Sequence, residues 1–197
     1  MDVNANQVKE LREISGCGFM DCKSALVASN GDIQAAADFL RKKGVSSAAK
    51  KSHRSTGEGL VESYIHPGGK VGVLIEVNCE TDFVARTETF KTLVHDLAMQ
   101  IAAACPISVS PDEVPAELVA KEREILTEQA KASGKPDKII EKMVEGRVQK
   151  YFEEVCLLEQ KFVKEQDRAV REIINDAIAK LGENIRVRRF ARFQLGK

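Results

Sequence analysis

The sequence predicts an α+β fold in which a small antiparallel sheet is covered on one side by helices. Hydrophobic residues make up 43% of the 197 residues, so the chain can bury a core. Aromatic residues account for only 5%, with no tryptophan, which favours helices packed with aliphatic side chains over a β-sandwich. Apolar residues recur at helical spacing in several segments and alternate in three short ones, which places the individual elements.

Three short helices are predicted for residues 1–43. The apolar residues of the first helix fall on one face, at Val8, Leu11 and Ile14. Glycines in the segment 15–18 then interrupt the helical pattern. Asn30-Gly31 ends the second helix, because both residues tolerate left-handed backbone, and Asp32 is a candidate N-cap of the third.

Residues 41–57 form a basic segment rich in small residues. It carries six positive side chains and no acidic one between Arg41 and Arg54. A solvated connector is the favoured interpretation, and contact with a nucleic acid or the ribosome is the alternative. We therefore divide the chain into an N-terminal domain with its basic linker, residues 1–54, and an α+β core domain, residues 55–197.

A hairpin and a final strand supply the predicted sheet. Strands at 60–66 and 71–77 flank a turn at 67–70, and Val71, Val73, Ile75 and Val77 share one face. The last strand, 184–195, is predicted to direct a second apolar set to one face: Ile185, Val187, Ala191, Phe193 and Leu195.

Helices are predicted between and after these strands. One follows the hairpin at about 90–101, and another at 170–181 ends at Gly182. Between them, a helical hairpin spans about 111–158, with a turn at Gly134. Its first helix is predicted to open with a capping box from Ser110 to Glu113, and its few apolar residues indicate that part of it projects from the body.

Composition and motifs limit the classes of function that the chain can have. Lys plus Arg and Asp plus Glu both number 30, and a dedicated nucleic-acid binder usually has a net basic charge. We find no catalytic, nucleotide-binding or metal-ligand motif, which favours a binding protein without cofactors over an enzyme. Five scattered cysteines, the absence of a membrane-length apolar run and an N-terminus unlike a signal or transit peptide predict a cytoplasmic protein.

One apolar pair lies outside every periodic stripe. The second hairpin strand runs into a polar stretch, after which Phe83 and Val84 follow. Both side chains could pack under the next helix. Alternatively, they could be presented at a loop tip, ready to enter a pocket on a partner.

The run from Asn78 to Arg86 resembles a signature of the translation elongation factor Ts family. The N-terminal run 8–13, followed by Gly16, Gly18, Met20, Asp21, Lys23, Ala25 and Leu26, resembles the family's other signature. Further matches lie at 63–66, 141–147, 160–163 and 182–185, so the resemblance covers essentially the whole chain in the family's order.

The resemblance implies a function and a set of contacts. The family binds elongation factor Tu in its GDP form and releases the nucleotide, without a covalent step. Four residues would lie at the magnesium site of that GTPase: Thr81, Asp82, Phe83 and Val84. The N-terminal helices resemble a ubiquitin-associated domain, and their contacts with the partner would come from Arg12, Phe19, Met20 and Lys23. His66 at the hairpin tip would contact another domain of the partner.

Two departures from the family pattern bear on these implications. Phe19 stands where many relatives have methionine, and it is still large and apolar. The core also has a single copy of a unit that longer relatives carry twice. Short forms with one copy associate as homodimers, so the resemblance implies a homodimer here.

A competing hypothesis is an RNA- or ribosome-binding protein. It would use the segment 41–54 and the arginines of the last strand, Arg186, Arg188, Arg189 and Arg192. Net neutrality counts against it, as does the lack of aromatic residues that could stack on bases near those charges.

Overall fold

The computed structural model describes residues 3–132 and 135–197. The predicted turn at Gly134 lies outside these described residues. The elements follow in the order α1 (Ala5–Ser15), α2 (Phe19–Ala28), α3 (Ile33–Lys51), β1 (Glu58–Ile65), β2 (Val71–Cys79), α4 (Asp82–Ala85), α5 (Glu88–Ala104), α6 (Ala116–Lys131), α7 (Asp137–Val155), β3 (Lys161–Phe162), β4 (Glu165–Ala169), α8 (Val170–Leu181) and β5 (Arg186–Gln194). The predicted α+β class is confirmed.

Helices α1–α3, called here the N-terminal module, share a small apolar core. Its largest members are Val8, Leu11, Leu26 and Leu40. The predicted helix boundaries are confirmed. Asn30 and Gly31 have left-handed φ angles of 52° and 85°, and Asp32 caps α3 by accepting a hydrogen bond from Ala35 N–H. Ile14, however, is exposed rather than packed with its predicted partners.

The basic segment is helical over most of its length, which corrects the predicted linker. α3 runs on to Lys51, and Gly44 and Ala48 are buried on it. A Cβ built on Gly44 would lie 3.5 Å from the Ala179 Cβ of α8, so the helix packs closely there. Two small residues four positions apart let a neighbouring helix approach, which gives this segment a packing role that its charge pattern concealed.

Strands β1, β2 and β5 form an antiparallel sheet in the order β1-β2-β5. Val73, Ile75 and Val77 are buried as predicted. In β5 the alternation is interrupted at two consecutive exposed residues, Arg188 and Arg189. Every later side chain therefore changes face, and Ala191, Phe193 and Leu195 are exposed instead of buried.

The helical hairpin has its own small core. Leu126 and Ala130 of α6 pack with Ile140, Val144 and Val148 of α7. The predicted capping box at Ser110 is wrong: residues 111–113 form a single 3₁₀ turn, and Glu113 accepts a hydrogen bond from Val109 N–H. Pro115 explains the break, because the residue before a proline avoids helical backbone and α6 begins only after it.

The chain divides into two compact units. The first combines 1–60, 77–93 and 172–186, and the second combines 61–76, 94–171 and 187–197. These units are discontinuous in sequence, so they do not coincide with the predicted division after residue 54.

Candidate partner-binding site

Residues 80–84, called here the Phe83 loop, follow β2, include most of the single helical turn α4 and present one apolar ring. Thr81 is the N-cap of that turn and accepts a hydrogen bond from Val84 N–H. Asp82 pairs with Arg86 at 2.8 Å. The Phe83 side chain is 77% exposed, which agrees with presentation at a loop tip and not with packing under the next helix.

Val84 points the other way. It is only 5% exposed, and Ala85 beside it is equally buried. The Phe83 loop therefore has an outer side with Thr81, Asp82 and Phe83, and an inner side that anchors it. Of the four residues predicted to contact a partner here, Val84 is the one that is almost completely buried.

The outer side is fixed by a carboxylate that is distant in sequence. Glu183 Oε2 accepts hydrogen bonds from Glu80 N–H at 3.1 Å and from Thr81 N–H at 3.0 Å. Its other oxygen, Oε1, accepts the Thr81 hydroxyl at 2.6 Å. Hydrogen bonds to an ionised acceptor are stronger than neutral ones, so this single side chain fixes the start of the loop at three points.

Glu80 returns the contact. Its Oε1 accepts Asn184 N–H at 2.6 Å and the Arg54 guanidinium at 3.3 Å. The Asn184 hydrogen bond and the neighbouring Arg54 charge lower the pKa of the Glu80 carboxyl. Two glutamates thus accept hydrogen bonds from each other's backbone segment, and we call this arrangement the glutamate clamp.

The clamp also reaches the end of α3. The Asn184 side chain donates hydrogen bonds to Ser52 O at 3.4 Å and Arg54 O at 3.0 Å. These carbonyls follow the helix, where backbone acceptors lack a partner within the helix itself. The segment that leaves the N-terminal module is therefore held by the same turn that holds the Phe83 loop.

Beneath the loop lies a buried thiol. Cys79 Sγ donates a hydrogen bond to Thr81 O at 3.1 Å. Burial raises the pKa of Cys79 to about 11, so the thiol is protonated at neutral pH and can act as this donor. Its role in the described structure is to support the loop, since a buried neutral thiol is a poor nucleophile.

The residues predicted for contact on the N-terminal module flank one turn. Arg12 lies in the last turn of α1, and Phe19, Met20 and Lys23 lie in the first half of α2. All four side chains are exposed, and Met20 is 68% exposed. Arginine is enriched among interface hot spots, and exposed apolar side chains gain free energy when a partner buries them.

His66 occupies the tip of the hairpin, as predicted. Its backbone N–H donates a hydrogen bond to Val71 O, which closes the turn. Its ring nitrogen Nδ1 lies 3.2 Å from the Tyr64 hydroxyl. The imidazole is exposed and therefore accessible to a partner.

Several cations invoked by the RNA-binding hypothesis are engaged within the chain. Lys43 pairs with Asp21 at 2.8 Å and Arg189 with Glu76 at 2.7 Å. Arg54 contacts Glu80, and Arg192 donates to Ala102 O. The three pairs with carboxylates offset part of the positive charge available to a phosphate backbone, and the Arg192 contact holds its guanidinium against the chain.

Within residues 3–132 and 135–197, we find no group of three His, Cys, Asp or Glu side chains arranged to hold a metal ion. In the same part of the chain, none of the helices combines the length and apolar character that a membrane span requires.

Sequence reasoning found Phe83 but missed the clamp. Glu183 follows a helix-ending glycine and lies about a hundred residues from Thr81, so no local period links the two. The only available signal was that the run 182–185 recurs in the resemblance, which marked the segment without assigning it a role. Strands β3 and β4 were also missed, because β3 has only two residues.

Comparison with known proteins now defines the kind of protein this is. The model of the family described as Elongation factor TS matches residues 47–197. Curated proteins named Elongation factor Ts are similar over nearly the whole chain. The protein of Syntrophomonas wolfei is 59% identical over 99% of this chain and 91% of its own, and that of Geobacter sulfurreducens is 55% identical over 100% and 91%.

The Caldanaerobacter subterraneus protein of the same name is 55% identical over 99% of this chain and 98% of its own length. These similarities place the chain among the translation elongation factors, which act in protein synthesis. Since both the family model and the relatives cover most of its length, the chain belongs to the elongation factor Ts family.

Proposed function

We propose that this protein is a guanine-nucleotide exchange factor that binds the GDP form of elongation factor Tu in the cytoplasm and promotes GDP release. The observation that carries the proposal is Phe83, an exposed ring on a loop whose backbone is fixed. Phe83 enters an apolar pocket of the GTPase, and Asp82 disturbs the groups that hold its Mg²⁺. The protein contributes contacts only, without cofactor, nucleic acid or membrane.

The free energy needed to release GDP is larger than one buried ring supplies, so more than one region must contact the GTPase. Burying a phenylalanine contributes roughly 1.5 to 3 kcal/mol. The loss of Mg²⁺ contacts costs the nucleotide several kcal/mol, and each 1.4 kcal/mol is about a tenfold change in an equilibrium constant. One ring offsets only part of that loss. The exposed group of Arg12, Phe19, Met20 and Lys23 supplies the second contact, and His66 supplies a third.

The test is the release of a fluorescent GDP from elongation factor Tu in a stopped-flow instrument. Adding this protein should accelerate release, with a rate that rises and then saturates as its concentration increases. Free GDP should weaken the complex by the same factor by which the protein weakens GDP binding, because coupling between two ligands is reciprocal. Release at the spontaneous rate across the full concentration range would refute the proposal.

The sheet supports the further proposal of a homodimer. Five large apolar side chains are exposed on the face of the sheet opposite Val73 and Ile75, and we call this the open face: Val61, Ile65, Leu74, Phe193 and Leu195. Four of them line a groove of about 500 Å³. Exposed apolar patches often mark protein–protein interaction sites, and a second copy of the chain would cover this one. Sedimentation equilibrium of the pure protein should give twice the monomer mass, and a monomer at micromolar concentration would refute this part.

A further inference from the structure

The Phe83 loop is held by local contacts and by one side chain that is distant in sequence. α4 has only four residues, so the backbone hydrogen bonds within this helical turn are too few to order the loop by themselves. Three hydrogen bonds reach it from Glu183, and one reaches it from the Cys79 thiol. The backbone that carries the exposed ring is therefore held in part by a side chain that lies after α8.

We propose that Glu183 is the positioning residue of the exchange site. Its carboxylate fixes the backbone of Glu80 and Thr81, so that Phe83 has its binding conformation before the partner arrives. Glu80 completes the clamp by accepting Asn184 N–H, and Asn184 ties the segment after α3 to the same turn. This inference rests on the proposed function for its consequence, whereas the clamp itself is a property of the free protein.

A positioning role has a kinetic fingerprint. If removal of Glu183 leaves the loop in its binding conformation for only a fraction of the time, the apparent dissociation constant rises by the inverse of that fraction. Once the complex forms, the partner holds the loop in place. The half-saturating concentration for GDP release should therefore increase, while the release rate at saturation stays within about twofold of the parent protein.

The first arm of the test uses the free protein. In Glu183→Ala, amide hydrogen exchange at Glu80 and Thr81 should accelerate at least about tenfold, because both N–H groups lose their acceptor. Amides in the centre of β2 should keep their protection. Glu88→Ala is the matched control, since Glu88 is an exposed glutamate near the loop that pairs with Lys91 at 3.0 Å. Unchanged protection at both loop amides would overturn the clamp.

The second arm uses GDP release from elongation factor Tu. Glu183→Ala should raise the half-saturating concentration at least about fivefold, and Glu183→Gln, which keeps one acceptor oxygen, should restore part of the loss. In a Phe83→Ala background, Glu183→Ala should add less than about a twofold change, because the residue it positions is gone. Independent, multiplying effects in this double-mutant cycle would overturn the positioning role.

The two proposals fail in different ways. If the parent protein does not accelerate GDP release, the proposed function is wrong, and amide exchange still decides whether the clamp exists. If the parent accelerates release and Glu183→Ala leaves the half-saturating concentration unchanged, the positioning role is wrong and the function stands. A loss of global stability would remove amide protection from β2 as well. Urea unfolding of the variant would detect the same loss independently.

Discussion

Two phenylalanines are almost equally exposed in this protein, and they are held in different ways. Phe83 is 77% exposed on a short loop, and the two residues before it, Thr81 and Asp82, are exposed and polar. Phe193 is 71% exposed on a strand, among the other apolar side chains of the open face. Polar residues precede the loop ring, and long-range hydrogen bonds fix the backbone before it, whereas the strand ring has apolar neighbours and lies on a strand of the sheet.

The difference indicates two kinds of interface. A single anchored ring in a polar setting gains its binding energy by entering one pocket, so its conformation matters more than the area around it. An apolar sheet face gains energy in proportion to the area covered and tolerates a self-complementary partner. In the proposed function, the Phe83 loop recognises the GTPase, and in the proposed homodimer the open face carries self-association.

The largest expected effect is a weaker dimer, and it tests the role proposed for the open face. Phe193→Glu should weaken the dimer at least about a hundredfold, because an unpaired charge buried in an apolar interface costs several kcal/mol. Sedimentation equilibrium measures the change. Phe83→Glu is the matched control and should leave the dimer intact. A dimer that survives Phe193→Glu and dissociates with Phe83→Glu would reverse the assignment.

A smaller effect is expected on the free energy of unfolding, which should differ between variants of the neighbouring residues Val84 and Phe83. Val84→Ala should lower the free energy of unfolding by about 1.5 to 3 kcal/mol, since two buried methyl groups are removed. Phe83→Ala should change it by less than about 0.5 kcal/mol, because an exposed ring contributes little to the core. Urea unfolding followed by circular dichroism compares the two variants. Equal losses would show that the ring packs against its own chain.

The smallest effect concerns the pH dependence of the clamp. Folding lowers the pKa of Glu80, so its stabilising contribution is present above the unfolded carboxyl value of about 4.3 and is lost as pH falls through the lower folded value. The stability curves of the parent and Glu80→Gln should therefore lie apart above about pH 5 and converge toward pH 3. Urea unfolding between pH 3 and 7 measures both. Curves that stay parallel over this range would contradict an ionised Glu80 in the clamp.

Local chemistry predicted much of this fold. Asp32 and Asn30-Gly31 bound their helices as expected, because caps and left-handed turns are decided within a few residues. The hairpin was predictable for the same reason. Side-chain direction in β5 was not, since one interruption of the pleat at Arg188 reverses every later residue without changing the composition of the strand.

The candidate site was predictable only on its outer side. Phe83 stood out as an apolar residue after a polar run, and the resemblance gave it a role. Glu183 could not be recognised, because a carboxylate that binds backbone about a hundred residues away leaves no local pattern. The helical extension of α3 was hidden for a related reason: its charges are local, whereas the packing of Gly44 against α8 is a long-range contact.

We propose that the outward-facing ring of Phe83 opens the nucleotide site of a GTPase. Fluorescent GDP release from elongation factor Tu, measured with Phe83→Ala at a fixed concentration below saturation, tests it most directly. Exchange should slow at least about tenfold while urea unfolding stays native-like, and Ile107→Ala, which truncates another exposed apolar side chain, should exchange like the parent. Parent-like exchange by a correctly folded Phe83→Ala protein would contradict the account.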